Sequence, residues 1–169
     1  MKRHRLARNL SRGLTMLELM IAVALLAVLG AVAIPSLGAR MDQQRLIGAA
    51  EALVADINEA RFEAARQSRS MHVLMQSGPA WCWAVATDSA CPCGLGQGCE
   101  LRHALPSDHA GVQLLQTQAV LLLPNGQAEA AGGATLQSRR GTQLRVEVMA
   151  LGRARICTLG STTTRYPAC

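Results

Sequence analysis

The sequence predicts an α+β chain: one long amino-terminal helix, then a small antiparallel β-sandwich-like domain. Three observations predict it. Residues 19–39 carry no charge, and about 21 apolar or small residues suffice for a helix to cross a hydrocarbon core of roughly 30 Å. Further on, Leu46, Ala50, Leu53, Ile57, Ala60 and Ala64 recur every three or four positions, the period of an amphipathic helix. After Ser68 the period gives way to short apolar runs separated by Gly, Pro, Asn and Ser, which read as many short strands.

Taken in order, residues 1–13 are a basic head with Lys2, Arg3, Arg5, Arg8 and Arg12, no acid, and Gly13 at its end. Residues 14–37 form the transmembrane half of the helix and 38–67 its amphipathic half. Asp42, Arg45, Glu51, Asp56, Glu59, Arg61, Glu63 and Arg66 lie between the apolar positions, on a solvated or partner-facing side. A bend is expected near Pro35, because proline removes one backbone hydrogen bond and crowds the preceding turn; Gly30, Gly38 and Gly48 loosen the helix further.

Residues 68–169 form the β domain. Strands are expected at 71–75 and 81–86, joined across Ser77-Gly78-Pro79. Residues 88–111, rich in Pro, Gly, Cys and Asp, read as a disulfide-tied loop. Strands follow near 112–116 and 119–123, then a turn at Pro124-Asn125-Gly126 in which Asn-Gly supplies positive φ. Others are expected at 127–131, 135–137, 144–150 and 154–158.

Composition narrows the function. The formal charge of +6 comes from 17 basic against 11 acidic residues, but without the five basic residues of the head it is 12 − 11 = +1. Basic flanks stay in the cytoplasm, which places everything after Arg40 in the periplasm and the helix in the inner membrane as a single pass. Cys82, Cys91, Cys93, Cys99, Cys157 and Cys169 agree with an oxidising compartment. Six cysteines allow 15 pairings, and the sequence does not choose among them; Cys157 with Cys169 would close a carboxy-terminal loop. The alternative for Cys91-Pro-Cys93…Cys99 is a metal site, but Cys-x-Cys is not the usual zinc spacing and no His lies inside the cluster. Disulfides are favoured, with no metal and no cofactor. His72, His103 and His109 match no triad or metal spacing, and no Gly-rich phosphate loop or Gly-x-Ser-x-Gly occurs, so no catalytic activity is expected.

The order basic head, Gly13, apolar run with Glu18, and Pro35 is not that of a secretory signal peptide, whose cleavage site follows its apolar core. It resembles the class III leader of type IV pilins and type II secretion pseudopilins. That resemblance implies cleavage after Gly13 by a prepilin peptidase and methylation of the new amino terminus at Leu14. Leu14 stands where Phe is commonest in the family. Glu18 becomes the fifth mature residue, where the family keeps a Glu, and Pro35 the twenty-second, where major pilins often carry a helix-bending Pro. Val120-Leu121-Leu122-Leu123-Pro124-Asn125-Gly126 and residues 144–157 are similar to segments of the FimT/GspH minor pilins. Gly152-Arg153-Ala154-Arg155 resembles the Gly-Arg-x-Arg motif of the FimT-like branch, associated with DNA uptake in natural transformation; the GspH branch serves the type II secretion fibre.

Two constellations carry the chemistry. Glu18, within the apolar run, is read as the charge partner of the methylated amine of Leu14 on a neighbouring subunit; the bland alternative is a solvated interfacial acid. Between residues 137 and 169, Arg139, Arg140, Arg145, Arg153, Arg155 and Arg165 stand against Glu147 alone. Guanidinium groups bind phosphate bidentately and stay charged, so these residues are read as a contact for duplex DNA. The chain has only Phe62, Trp81, Trp83 and Tyr166 as aromatics, so backbone contact without sequence specificity is expected rather than base stacking. The bland alternative is a charged edge that discourages strand aggregation. The expectation is a minor pilin that binds DNA for uptake, the alternative a structural secretion pseudopilin. An anchored periplasmic enzyme is the remaining class.

Overall fold

The computed structural model describes residues 15–94, 98–160 and 165–169, without the side chains of 32–36. The expected α+β architecture is the one adopted. A single helix, α1 (Met16–Gln67), precedes strands β1 (Met71–Gln76), β2 (Cys82–Ala86), β3 (Glu100–Ala104), β4 (Val112–Gln118), β5 (Val120–Leu122), β6 (Gly132–Ser138), β7 (Gln143–Val148) and β8 (Ala154–Leu159). The chain divides into two compact units, Met1–Gly38 and Ala39–Cys169.

In the first unit the described side chains from Met16 to Leu29 are exposed, among them Met16, Leu19, Leu25 and Leu26. Thr15 caps the helix: its Oγ1 accepts a hydrogen bond from Glu18 N at 3.2 Å, as a capping Thr does for the third helical residue. Among the described residues, no helix is long and apolar enough to cross a membrane. The run 19–39 includes residues 32–36, so the bend expected at Pro35 falls outside the described side chains.

In the second unit the helical period becomes burial. Leu46, Ala50, Leu53, Ile57, Ala60 and Ala64 are all fully buried. They share one core with Met71 and Val73 of β1, Trp83 and Val85 of β2, Leu114 of β4, Leu136 of β6 and Leu144, Val146 and Val148 of β7. The helix ends where Ser68 takes a left-handed conformation (φ 51°), with Ser68 N donating to Ala65 O and Arg69 N to Ala64 O, so the last carbonyls are satisfied.

The strands form two antiparallel four-stranded sheets, in the orders β3-β2-β1-β5 and β4-β6-β7-β8. The first hairpin joins β1 to β2 across Gly78, as the alternation implies. Three expectations need correction. Residues 88–111 are not wholly a loop, because β3 pairs with β2 along its edge. Its Glu-Leu-Arg-His-Ala sequence is mostly exposed and shows no apolar alternation, so backbone pairing rather than side-chain burial makes the strand. Residues 127–131 form no strand; after the turn only a bridge between Leu122 and Ala128 remains, and Ala128 N donates instead to Ala150 O. At that turn Gly126 alone has positive φ (76°), not Asn125. Gly126 N donates to Leu123 O and Leu123 N to Gln127 O, so a tight turn is followed by a left-handed glycine, while Asn125 Oδ1 receives Gln127 N.

Three disulfides close the domain: Cys82–Cys93, Cys91–Cys99 and Cys157–Cys169. The first ties Cys93 to Cys82 at the start of β2, whose five residues are all buried, and the second joins Cys91 to Cys99. The third holds the carboxy-terminal residues along β8, where Thr158 N donates to Pro167 O and Cys169 N to Thr158 O.

Candidate nucleic-acid interface

The candidate interface is built on β7 and β8. Leu144, Val146 and Val148 point into the core, so Arg145 and Glu147 point out, and cross-strand pairing puts Cys157 opposite Arg145 and Arg155 opposite Glu147 on the same outer face. Between the strands, Gly152 N donates to Met149 O at 2.7 Å and Met149 N to Arg153 O at 3.0 Å, which makes a tight turn with Gly152 at φ 71°. Gly152 is buried, and a Cβ placed on it would collide with Gly126 O and come within 3.4 Å of Arg61 Cδ. The two left-handed glycines are therefore stacked, and Arg61 of α1 locks the stack by donating Nε to Gly126 O at 2.9 Å. Ala150 O, held by Ala128 N at 3.0 Å, completes the clamp.

This turn presents Arg153. Its side chain is exposed, and no acid lies within ion-pair distance of it among the described residues. The other arginines differ. Arg155 grips Glu147 Oε2 through Nε (3.1 Å) and Nη2 (2.9 Å), and Arg145 Nε reaches Glu147 Oε1 at 3.3 Å. Arg140 pairs with Asp42 of α1 at 3.3 Å, and Arg165 with Glu51 at 2.8 Å. Tyr166 OH also donates to Glu51, at 2.7 Å. Arg139 crosses Gly111, where a Cβ would lie 3.2 Å from its Cγ, and borders an open groove of about 410 Å³ with Pro79, Trp81 and Pro106.

The arginines that cluster in sequence are thus spread in space. Arg139 and Arg140 sit in the β6–β7 turn, Arg153 at the opposite end of the six-residue β7, roughly 20 Å away by strand rise. Arg155 and Arg145 bridge that span. Asp42 and Glu51, the partners of Arg140 and Arg165, lie far off in sequence, and Glu147 pairs with Arg145 and Arg155, so the excess positive charge counted along the chain is partly neutralised in the fold. Exposed pairs of this kind are worth about 0–1 kcal/mol, and a phosphate displaces them at little cost. Glu147, Cys157 and Cys169 approach within 4.8 Å, but both sulfurs are in a disulfide and Arg145 and Arg155 hold the carboxylate, so this cluster offers no cation a site.

Residues 49–152 match the protein-family model described as Type II transport protein GspH, and residues 8–34 match the prokaryotic N-terminal methylation motif. The chain belongs to the GspH family. Two crystal structures of the type IV minor pilin FimU from Pseudomonas aeruginosa are similar in fold. One, in space group P65, is 17% identical with TM-score 0.50 and covers 66% of this chain and 91% of FimU; the other, in P21, gives 18%, 0.51, 68% and 89%. No curated protein matches the chain.

As a FimT/GspH-family minor pilin or pseudopilin, the chain is expected to be anchored in a membrane, processed by prepilin peptidase and associated with other pilins. Gly13 and Leu14 lie outside the described residues; Glu18 is exposed in the first turn of α1, where an acid also suits the helix dipole. The family match ends at Gly152, so Arg153 and Arg155 stand beyond it.

Sequence reading missed the polar side of the core. Trp83 Nε1 donates to Asp56 Oδ2 at 2.7 Å and Trp81 Nε1 to Val112 O at 2.9 Å. His109 stacks on Trp83 with ring centroids 5.2 Å apart, and Trp83 on Trp81 at 5.3 Å. The signal was present in Trp81-x-Trp83, two large rings on one face of a strand, but the residues that meet them come from distant segments. Burial pushes the His109 pKa below 6.5, against the opposing pull of Asp108 and Asp56. The unfolded chain then binds more protons than the folded one, so stability present above pH 6.5 is lost as pH falls below it. Denaturant unfolding at pH 7.5 and 5.5 is expected to show this loss, and His109→Gln to reduce it. An equal loss in both proteins would assign the pH dependence elsewhere.

Proposed function

We propose that this minor pilin binds duplex DNA without sequence specificity and serves DNA uptake in natural transformation. In this reading it is a single-pass inner-membrane protein before assembly, with its leader cut after Gly13, Leu14 methylated and the residues after Arg40 in the periplasm. Once assembled, the pilus carries the β domain outward. It is a binding and assembly subunit with no catalytic role and no cofactor.

The observation that carries the reading is Arg153: a guanidinium exposed on a rigid turn, without an acid partner among the described residues, beside a face bearing Arg155 and Arg145. The buried glycine before it gives Gly-Arg-x-Arg a physical sense, since the glycine shapes the turn and the arginine faces solvent. The rival reading, a type II secretion pseudopilin, is favoured by the description of the matching family model.

The two differ in salt dependence. For the full chain in detergent micelles, DNA binding by phosphate neutralisation predicts a log–log slope of affinity against salt of about −0.9 per phosphate contacted. Arg153→Ala is expected to reduce its magnitude by about 0.9, and Arg155→Ala by less if Glu147 already occupies that guanidinium. A slope that Arg153→Ala leaves unchanged would favour the secretion reading.

A further inference from the structure

The β7–β8 turn exposes more than a charge. Met149 and Leu151 are 42% and 62% exposed, and Ala150 between them is exposed too. Leu151 thus turns most of its surface to solvent, and Met149 a little less than half. These side chains are held on a stiff mount, because Gly152 stacks on Gly126, Arg61 clamps Gly126 O and Ala128 N holds Ala150 O. Arg153 follows directly.

We propose that Leu151, supported by Met149, is an apolar wedge that enters the minor groove and opens a base step while Arg153 holds the flanking phosphate. The inference rests on the DNA-binding reading and names a second, uncharged contact within it. Proteins that bind the minor groove frequently insert leucine or methionine in this way, unstacking a step and exchanging that cost for a larger contact. Charge complementarity selects DNA over a neighbouring protein as the occupant: the adjoining Arg153 has no acid partner among the described residues, and Arg155 and Arg145 continue the basic face. The chain's tryptophans do not serve as stacking platforms, since Trp81 and Trp83 are fully buried. An aliphatic wedge is the means of base contact that the exposed turn offers.

A wedge and a phosphate contact leave different traces. Using the full chain in detergent, affinity for a fully paired duplex and for the same duplex with one T·T mismatch is measured across a salt series. The native chain should bind the mismatched duplex more tightly, because opening a weakened step costs less. Leu151→Ala should weaken binding about fivefold, as partial loss of leucine burial implies, shift the salt line without changing its slope, and abolish the mismatch preference. Leu151→Phe should keep the preference. An exposed tip position leaves the fold intact, which thermal melting of both variants checks. If the native chain binds neither duplex, the DNA reading itself falls. If it binds both and Leu151→Ala changes neither affinity nor preference, the wedge falls and the DNA reading stands. Unchanged DNA binding with poorer recovery of the variant in sheared pili would make Leu151 a contact for another pilin and overturn the proposal.

Discussion

Replacing Gly152 by alanine is expected to destabilise the β domain by about 2–5 kcal/mol, a large part of the 5–15 kcal/mol typical of a domain. Two separate penalties add. A left-handed backbone costs a Cβ-bearing residue roughly 1–2 kcal/mol, and φ at Gly152 is 71°. The new Cβ also meets Gly126 O, a backbone atom that cannot rotate away, so the turns must separate and the Arg61 hydrogen bond to Gly126 O must stretch. Forcing atoms into a packed site costs about 1–3 kcal/mol in general. Thermal unfolding of the full chain in detergent, followed by near-ultraviolet dichroism of Trp81 and Trp83, reads the change. Arg153→Ala in the same assay should melt with the native protein, since that side chain is exposed. A native-like melt for Gly152→Ala would mean that the glycine stack does not brace the domain. The pair of results separates the two residues of the motif: the glycine shapes the turn, the arginine acts from it.

Replacing Glu18 by alanine is expected to leave leader cleavage normal and to remove the protein almost completely from sheared pili. The hypothesis rests on an acid placed at the start of an apolar helix. Such a group is costly to bury alone and strongly attracted, at low dielectric, to a neighbouring subunit's amino terminus. The structure supplies a competing local account, because Glu18 N is the group that Thr15 caps. That bond uses the backbone of residue 18, which alanine retains. Thr15→Ala therefore tests the competitor: loss of a cap weakens a helix by about 1 kcal/mol and should only modestly reduce assembly. Immunoblots of sheared fibres and of membranes, with mass spectrometry of the amino terminus, distinguish the outcomes. Normal recovery of Glu18→Ala in the fibre would sink the charge-pairing hypothesis.

The helix and most of the strands were legible because they rest on period. Leu46 through Ala64 repeat with the helical turn, and Leu144, Val146 and Val148 alternate as a strand does, so their burial follows from spacing alone. β3 was not legible, since an exposed edge strand leaves no apolar trace and depends on pairing with β2. The basic site was half legible. Its residue types and its glycine were plain in Gly152-Arg153-Ala154-Arg155. Which arginines were available was not, because Asp42 and Glu51 reach Arg140 and Arg165 across 98 and 114 positions.

By itself, the sequence determined the long helix, most of the strands, the family and the chemical character of the carboxy-terminal segment, properties carried by period and local motif. The tertiary structure alone decided that Gly152 rests on Gly126 under Arg61, that Glu147 occupies Arg145 and Arg155, and that Arg153 is left to solvent. The physical reason is that charge availability and close packing depend on distances between segments far apart in the chain, and only the folded backbone sets those distances.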